Sequence, residues 1–172
     1  GHSYGTVTVP WYVAETDDLR VPAMLLYAPL GDLRAASITI CGGKDEYDRI
    51  VATSQEMVAA GRGSEAFLIP PMVAGGMPLL HTYEVFLDKR GPESKAVPID
   101  ILGRTGTRKM LGVRDPADPY PATLPPAQAM LEAANPNLDY LLLDDIHDGA
   151  ITPDAHYYRG REEEVLEATL GW

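Results

Sequence analysis

The apolar residues of this 172-residue chain fall in short runs, and that punctuation limits what it can build more than any other feature. Fifteen prolines and sixteen glycines interrupt the chain, and the longest apolar stretches, 21–30 and 140–143, stay far below the roughly 20 residues needed to cross a bilayer. The chain therefore reads as soluble, built from short strands and helices. At this length a single hydrophobic core is expected, so 1–172 is read as one domain. With 45% hydrophobic and 23% charged residues it has the ordinary globular mixture, which excludes a disordered chain.

Most runs read as strands. Run 6–13 is rich in β-branched and aromatic residues but broken by Pro10, which has no N–H for an interior ladder and so marks an edge strand. Runs 21–27 and 37–41, each closed by glycine or proline, read the same way, as does 65–69, which leads into Pro70-Pro71 and a glycine turn at Gly75-Gly76. The alternation in 79–87 predicts a half-buried strand that pairs with 96–102 through a turn containing Gly91-Pro92. Run 138–146 reads as the last strand.

Three helices are expected. Over 45–60, Tyr47, Ile50, Val51, Met57 and Val58 share one face, and Asp45 and Glu46 lie where the helix dipole favours anions. A short helix over 126–134 stops at Asn135-Pro136, because proline pushes its predecessor out of helical angles. The last covers 162–170. Together these predict an α+β (or α/β) fold: a mixed sheet of six or seven short strands with two or three helices. Residues 103–126, with little periodicity and five prolines, are read as an extended Pro-rich loop or arm.

The net charge of −11 argues against nucleic acid or an anionic membrane as partner, since both repel an acidic surface. The charge is also polarised: 88–114 holds seven basic and three acidic residues, and 128–172 holds two basic and ten acidic. The two regions can neutralise each other within the fold, the plainer reading, or between copies, which suits a homo- or hetero-oligomer. Cys41, the single cysteine, excludes an intrachain disulfide, and no basic-then-apolar leader is visible; a cytoplasmic location is expected.

The densest polar cluster is 144–148, followed by Asp154 and His156. Carboxylates and imidazoles at a strand end are ligands for a divalent metal, so Asp144, His147, Asp148 and His156 form a candidate metal set. His81, Tyr83, His147 and His156 are the candidate acid–base groups. The same Asp and Gly residues also suit plain turns. Arg104, Arg108 and Lys109, in a glycine-containing basic turn, are a candidate anion site without the order of a P-loop. Cys41 reads as a small core residue.

Gly1-His2-Ser3-Tyr4-Gly5 matches G-x-S-x-G and resembles the nucleophile elbow of the α/β-hydrolase family. The resemblance implies a serine hydrolase whose acid and histidine follow in chain order, with Asp45 after Gly42-Gly43 and His81 as partners that can be threaded. It also requires a helix directly after the serine, where run 6–13 reads as an edge strand. The five residues read more simply as a tag remnant or frayed terminus. The leading expectation is therefore a non-catalytic structural or assembly subunit of a larger complex, such as a virion or shell component. A metal-assisted hydrolase or lyase using the C-terminal Asp/His cluster comes second, and the serine hydrolase third.

Overall fold

The computed structural model describes residues 1–69, 78–120 and 125–172. Among these residues the elements are α1 (Gly5–Thr16), β1 (Ala23–Tyr27), α2 (Leu33–Ile40), α3 (Lys44–Ala59), β2 (Ala66–Ile69), β3 (Leu79–Thr82), α4 (Tyr83–Arg90), α5 (Pro98–Leu102), β4 (Lys109–Arg114), α6 (Pro125–Ala134), β5 (Leu138–Leu142) and α7 (Glu162–Gly171). They fall into two compact units, one of Gly1–Gly31 with Pro98–Trp172, the other of Asp32–Val97. Among the described residues no helix is long and apolar enough to cross a membrane.

The first unit is a parallel sheet in the order β1-β4-β5, in the register Leu26↔Gly112 and Gly112↔Tyr140. Parallel strands need crossovers that place helices on the faces, so the middle strand is covered on both sides. Accordingly β4 is buried from Met110 to Arg114. On one face Val13 of α1, Leu102 of α5 and Leu131 of α6 pack with Met24, Leu26, Met110 and Leu138. On the other, Ala28, Leu111, Val113, Leu143 and Tyr158 form a second cluster, joined by Val165 of α7. Gly112 has a steric reason: a Cβ there would meet Tyr140 Cδ2 at 3.0 Å, so only glycine lets that ring lie over the strand.

In the second unit, β2 and β3 pair antiparallel in the register Phe67↔His81. Phe86 of α4 is fully buried, the rings of Phe67 and Tyr83 stack at 4.7 Å, and the Tyr47 hydroxyl of α3 donates to the Arg90 carbonyl at 2.8 Å.

The expected mixed sheet of six or seven strands with two or three helices is not what forms; five strands in two sheets stand beside seven α-helices among the described residues. Local capping and packing overrode β propensity in each misread run. Run 6–13 lies in α1, where Thr6, Val7, Pro10 and Val13 are buried at helical spacing. Run 37–41 lies largely in α2, whose N-cap Asp32 accepts from the N–H groups of Arg34 and Ala35. The 79–87 strand turns helical at Tyr83, where the Thr82 hydroxyl accepts from Val85 N–H, and the 96–102 strand is replaced by α5. The expected hairpin between those two runs is absent, since β3 pairs with β2. Within 103–126, β4 is the central strand of the parallel sheet, while 121–124 lie outside the described residues, as do Pro70-Pro71 and Gly75-Gly76.

Candidate active site

Ser3 sits on a sharp turn between a strand-like segment and a helix. His2 bridges Tyr27 in parallel, Tyr27 N–H donates to the Gly1 carbonyl at 2.8 Å, and Ser3 N–H donates to the Tyr27 carbonyl at 2.9 Å. Ser3 then takes φ 53°, a left-handed conformation costing a non-glycine residue about 1–3 kcal/mol unless its surroundings impose it. Here the Ser3 carbonyl accepts from both the Thr6 N–H, at 2.8 Å, and the Thr6 hydroxyl, at 2.6 Å. A Cβ on Gly1 would lie 2.2 Å from the Gly5 carbonyl oxygen, so the turn closes only with glycine there. The amides of Tyr4 and the first residues of α1 follow, at the helix end whose dipole favours negative charge.

Asp118 lies on the loop after β4. Its backbone N–H donates to the Asp115 carbonyl at 3.1 Å, and its Oδ1 accepts from Tyr120 N–H at 3.0 Å. Asp115 in turn caps Ala117 N–H at 2.8 Å and pairs at 3.0 Å with Arg161, both side chains being buried. The same guanidinium donates to the Asp144 carbonyl at 2.6 Å beyond β5, so one arginine ties two loops at this end of the sheet.

His156 belongs to a 3-10 turn, Pro153–Tyr157, capped by the Thr152 hydroxyl. Tyr158 follows with φ 55°, and its hydroxyl accepts from Ala28 N–H at 2.6 Å and donates to the Val113 carbonyl, anchoring the turn to β1 and β4. Burial pushes the Tyr158 phenol well above its ordinary pKa, which keeps that donor protonated. The His2 imidazole donates from Nε2 to the His156 carbonyl at 2.7 Å, because a carbonyl can only accept. The rings of Tyr120 and His2 lie 4.3 Å and 5.0 Å from the His156 ring, centroid to centroid.

Three side chains from distant parts of the chain meet here. His156 Nδ1 lies 2.8 Å from Asp118 Oδ2, and His156 Nε2 lies 2.9 Å from Ser3 Oγ. The His156 and Asp118 side chains are 4% and 1% exposed. A buried carboxylate accepts, so it holds the imidazole proton on Nδ1 and turns the Nε2 lone pair toward Ser3 Oγ–H. That is the arrangement of nucleophile, base and orienting acid used in acyl transfer.

The groups singled out from the sequence separate. Of His81, Tyr83, His147 and His156, only His156 takes part. His81 is held near pKa 4 by burial and by Arg90 and Lys89, and its Nε2 accepts from Arg90 Nε at 3.3 Å in the second unit, where Tyr83 stacks on Phe67. Among the described residues no three His, Cys, Asp or Glu side chains gather as a metal set. Instead Asp145 accepts from the N–H groups of His147 and Gly149, Asp148 takes a left-handed turn conformation at φ 51°, and Asp154 pairs with Arg159. Asp144 contributes its carbonyl to Arg161.

In the basic turn the two arginines are engaged within the chain. Arg104 pairs with Glu15 at 2.9 Å, Arg108 binds Asp17 and the carbonyls of Val21 and Thr105, and Lys109 opens β4. Asp118 was missed. Its one trace in the sequence is an acid shortly after β4, among the prolines that follow that strand, and between the elbow serine and a later histidine.

No family model matches the sequence, and no curated protein matches it. Among solved structures the chain is similar to the crystal structure of E-2-(acetamidomethylene)succinate hydrolase, with a TM-score of 0.50 and 17% identity. That match covers 99% of this chain but 63% of the other, so this chain spans less than two thirds of its structural neighbour. The likeness is one of fold, and the fold resembles an α/β hydrolase. It overturns the expectation of a non-catalytic structural or assembly subunit. That expectation rests on the Pro-rich arm, the polarised charge and the lack of a catalytic set, and the last of these follows in part from reading run 6–13 as a strand where the elbow requires a helix.

Proposed function

We propose that the chain carries a serine hydrolase site that cleaves an ester or amide through Ser3, His156 and Asp118. The supporting observation is the continuous hydrogen-bonded line from Ser3 Oγ through the His156 ring to Asp118. Ser3 Oγ attacks the carbonyl carbon while its proton passes to His156 Nε2. The bond to the leaving group then breaks as that proton is returned to the departing oxygen or nitrogen. A water, deprotonated by the same Nε2, splits the acyl–Ser3 ester and restores the hydroxyl. Asp118 keeps the imidazole oriented and offsets its positive charge. The N-terminal end of α1, with Tyr4 at its N-cap, favours the oxyanion that forms on the carbonyl oxygen. The α/β-hydrolase-like fold supports the same reading, as does the chain order of serine, acid and histidine.

The test is covalent labelling with a fluorophosphonate, read by mass spectrometry. Label is expected on the Ser3 peptide and lost in Ser3→Ala, and labelling is expected to slow by at least about 100-fold in His156→Ala. Equal labelling of the Ser3→Ala protein, or modification confined to another residue, would refute the assignment.

A further inference from the structure

Arg114, the last residue of β4, is a buried cation left over by the proposed chemistry. It is 3% exposed, yet no salt bridge or side-chain hydrogen bond reaches it among the described residues, and its Nε is sealed from solvent without a partner. The nearest acids along the chain are committed elsewhere, Asp115 to Arg161 and Asp118 to His156. The undescribed segments, Pro-Pro-Met-Val-Ala-Gly-Gly-Met (70–77) and Pro-Ala-Thr-Leu (121–124), contain no acid. A buried guanidinium with no carboxylate bonded to it carries a desolvation cost that a negative group supplied from outside would offset.

A second unsatisfied donor accompanies it. The Tyr140 hydroxyl is also buried without a hydrogen-bond partner. The pairings Gly112↔Tyr140 and Arg114↔Leu142, with the alternation of side chains along a strand, place Arg114 and Tyr140 on one face of the sheet. The Tyr140 ring lies over Gly112 on that face. Burial pushes the Tyr140 phenol well above its ordinary pKa; Arg114 works against that push while Asp118 and Glu132 add to it, so Arg114 and both acids lie within electrostatic reach of the hydroxyl. Five guanidinium N–H groups and a phenol O–H are donors to an oxygen anion, and the planar fork of arginine fits a carboxylate. Arg114 stands at the carboxyl end of the middle strand, four residues before Asp118, where open α/β sheets bind their ligands.

We infer that Arg114 and Tyr140 hold a carboxylate of the substrate, making this a hydrolase for carboxylate-bearing esters or amides. The inference rests on the serine hydrolase reading only in assigning that carboxylate to the substrate. Binding is measured without turnover, using the Ser3→Ala protein with formate, acetate and succinate against formamide, acetamide and succinamide. At least one carboxylate should raise Tm and shift the Arg114 Nε–H resonance, assigned with Arg114→Lys, while the amides do neither. In Arg114→Met, affinity should fall about ten- to hundredfold, the range expected for a charge-assisted pair, and Tm without ligand should rise because an unpaired buried charge is removed.

In the active protein, the same carboxylate should compete with p-nitrophenyl acetate. An unmoved Nε resonance with all three carboxylates overturns the proposal even if Arg114→Met does not fold. So does undiminished binding in Arg114→Met, or non-competitive inhibition. A protein that reacts with fluorophosphonate at Ser3 but ignores carboxylates refutes this inference and leaves the hydrolase reading standing.

Discussion

Replacing Asp118 with asparagine separates the electronic role of this side chain from its structural one. Asp118 Oδ1 accepts from Tyr120 N–H at 3.0 Å and Oδ2 faces His156 Nδ1 at 2.8 Å. Asparagine has one acceptor oxygen, which the Tyr120 N–H claims, so its NH₂ must face His156. An NH₂ can meet Nδ1 only if Nδ1 carries no proton. The imidazole proton then moves to Nε2, beside Ser3 Oγ, and the lone pair that should receive the serine proton is gone. The geometry survives while the tautomer is inverted, a change that costs about 10⁴ in kcat, or roughly 5.4 kcal/mol of barrier. Folding should lose only about 1–2 kcal/mol, because the side chain is isosteric and both contacts are kept. The assay is kcat and KM for p-nitrophenyl acetate, with Tm measured on the same samples. Activity of Asp118→Asn within about tenfold of the parent would show that the line from Ser3 to Asp118 does not operate as described.

Two further outcomes follow from the buried and titrating groups. Arg161→Met leaves Asp115 buried and unpaired beneath the Asp118 loop, so stability should drop by about 3–5 kcal/mol in urea unfolding. Adding Asp115→Asn should recover much of that loss, and no recovery would show that the pair is not the cause. His81 is lowered from 6.5 to about 4 in the folded protein, first by burial and then by Arg90 and Lys89. The unfolded chain therefore binds more protons in that interval, and its stabilising contribution, complete above pH 6.5, declines as the pH falls toward 4. Denaturant titrations across this interval should show a shallower decline for His81→Gln than for the parent; parallel curves would contradict the assignment.

Elements with local signals were legible. α3 carried its apolar stripe and acidic first turn, α6 stopped at Asn135-Pro136, and α7 opened on three glutamates. Runs with mixed signals were not. In α1 the β-branched residues and Pro10 suggested a strand, while the burial of Thr6, Val7, Pro10 and Val13 at helical spacing decided otherwise. β4 was hidden because Gly112 and charged Lys109 and Arg114 break its apolar run, and prolines follow it. Recognising a central strand there depends on the helices that cover it.

The site divides along the same line. By itself the sequence marked Ser3 through a five-residue motif and drew attention to His156 through its acidic neighbours, both being features of adjacent residues. Only the tertiary structure chose the acid and joined the three, since Asp118 and His156 are 38 positions apart and Ser3 and His156 are 153 apart. Caps, turns and stripes arise from contacts within a few residues and leave a local trace. Which distant loops a parallel sheet brings to one end is set by strand pairing and helix packing, and a single chain of letters carries almost no record of that pairing.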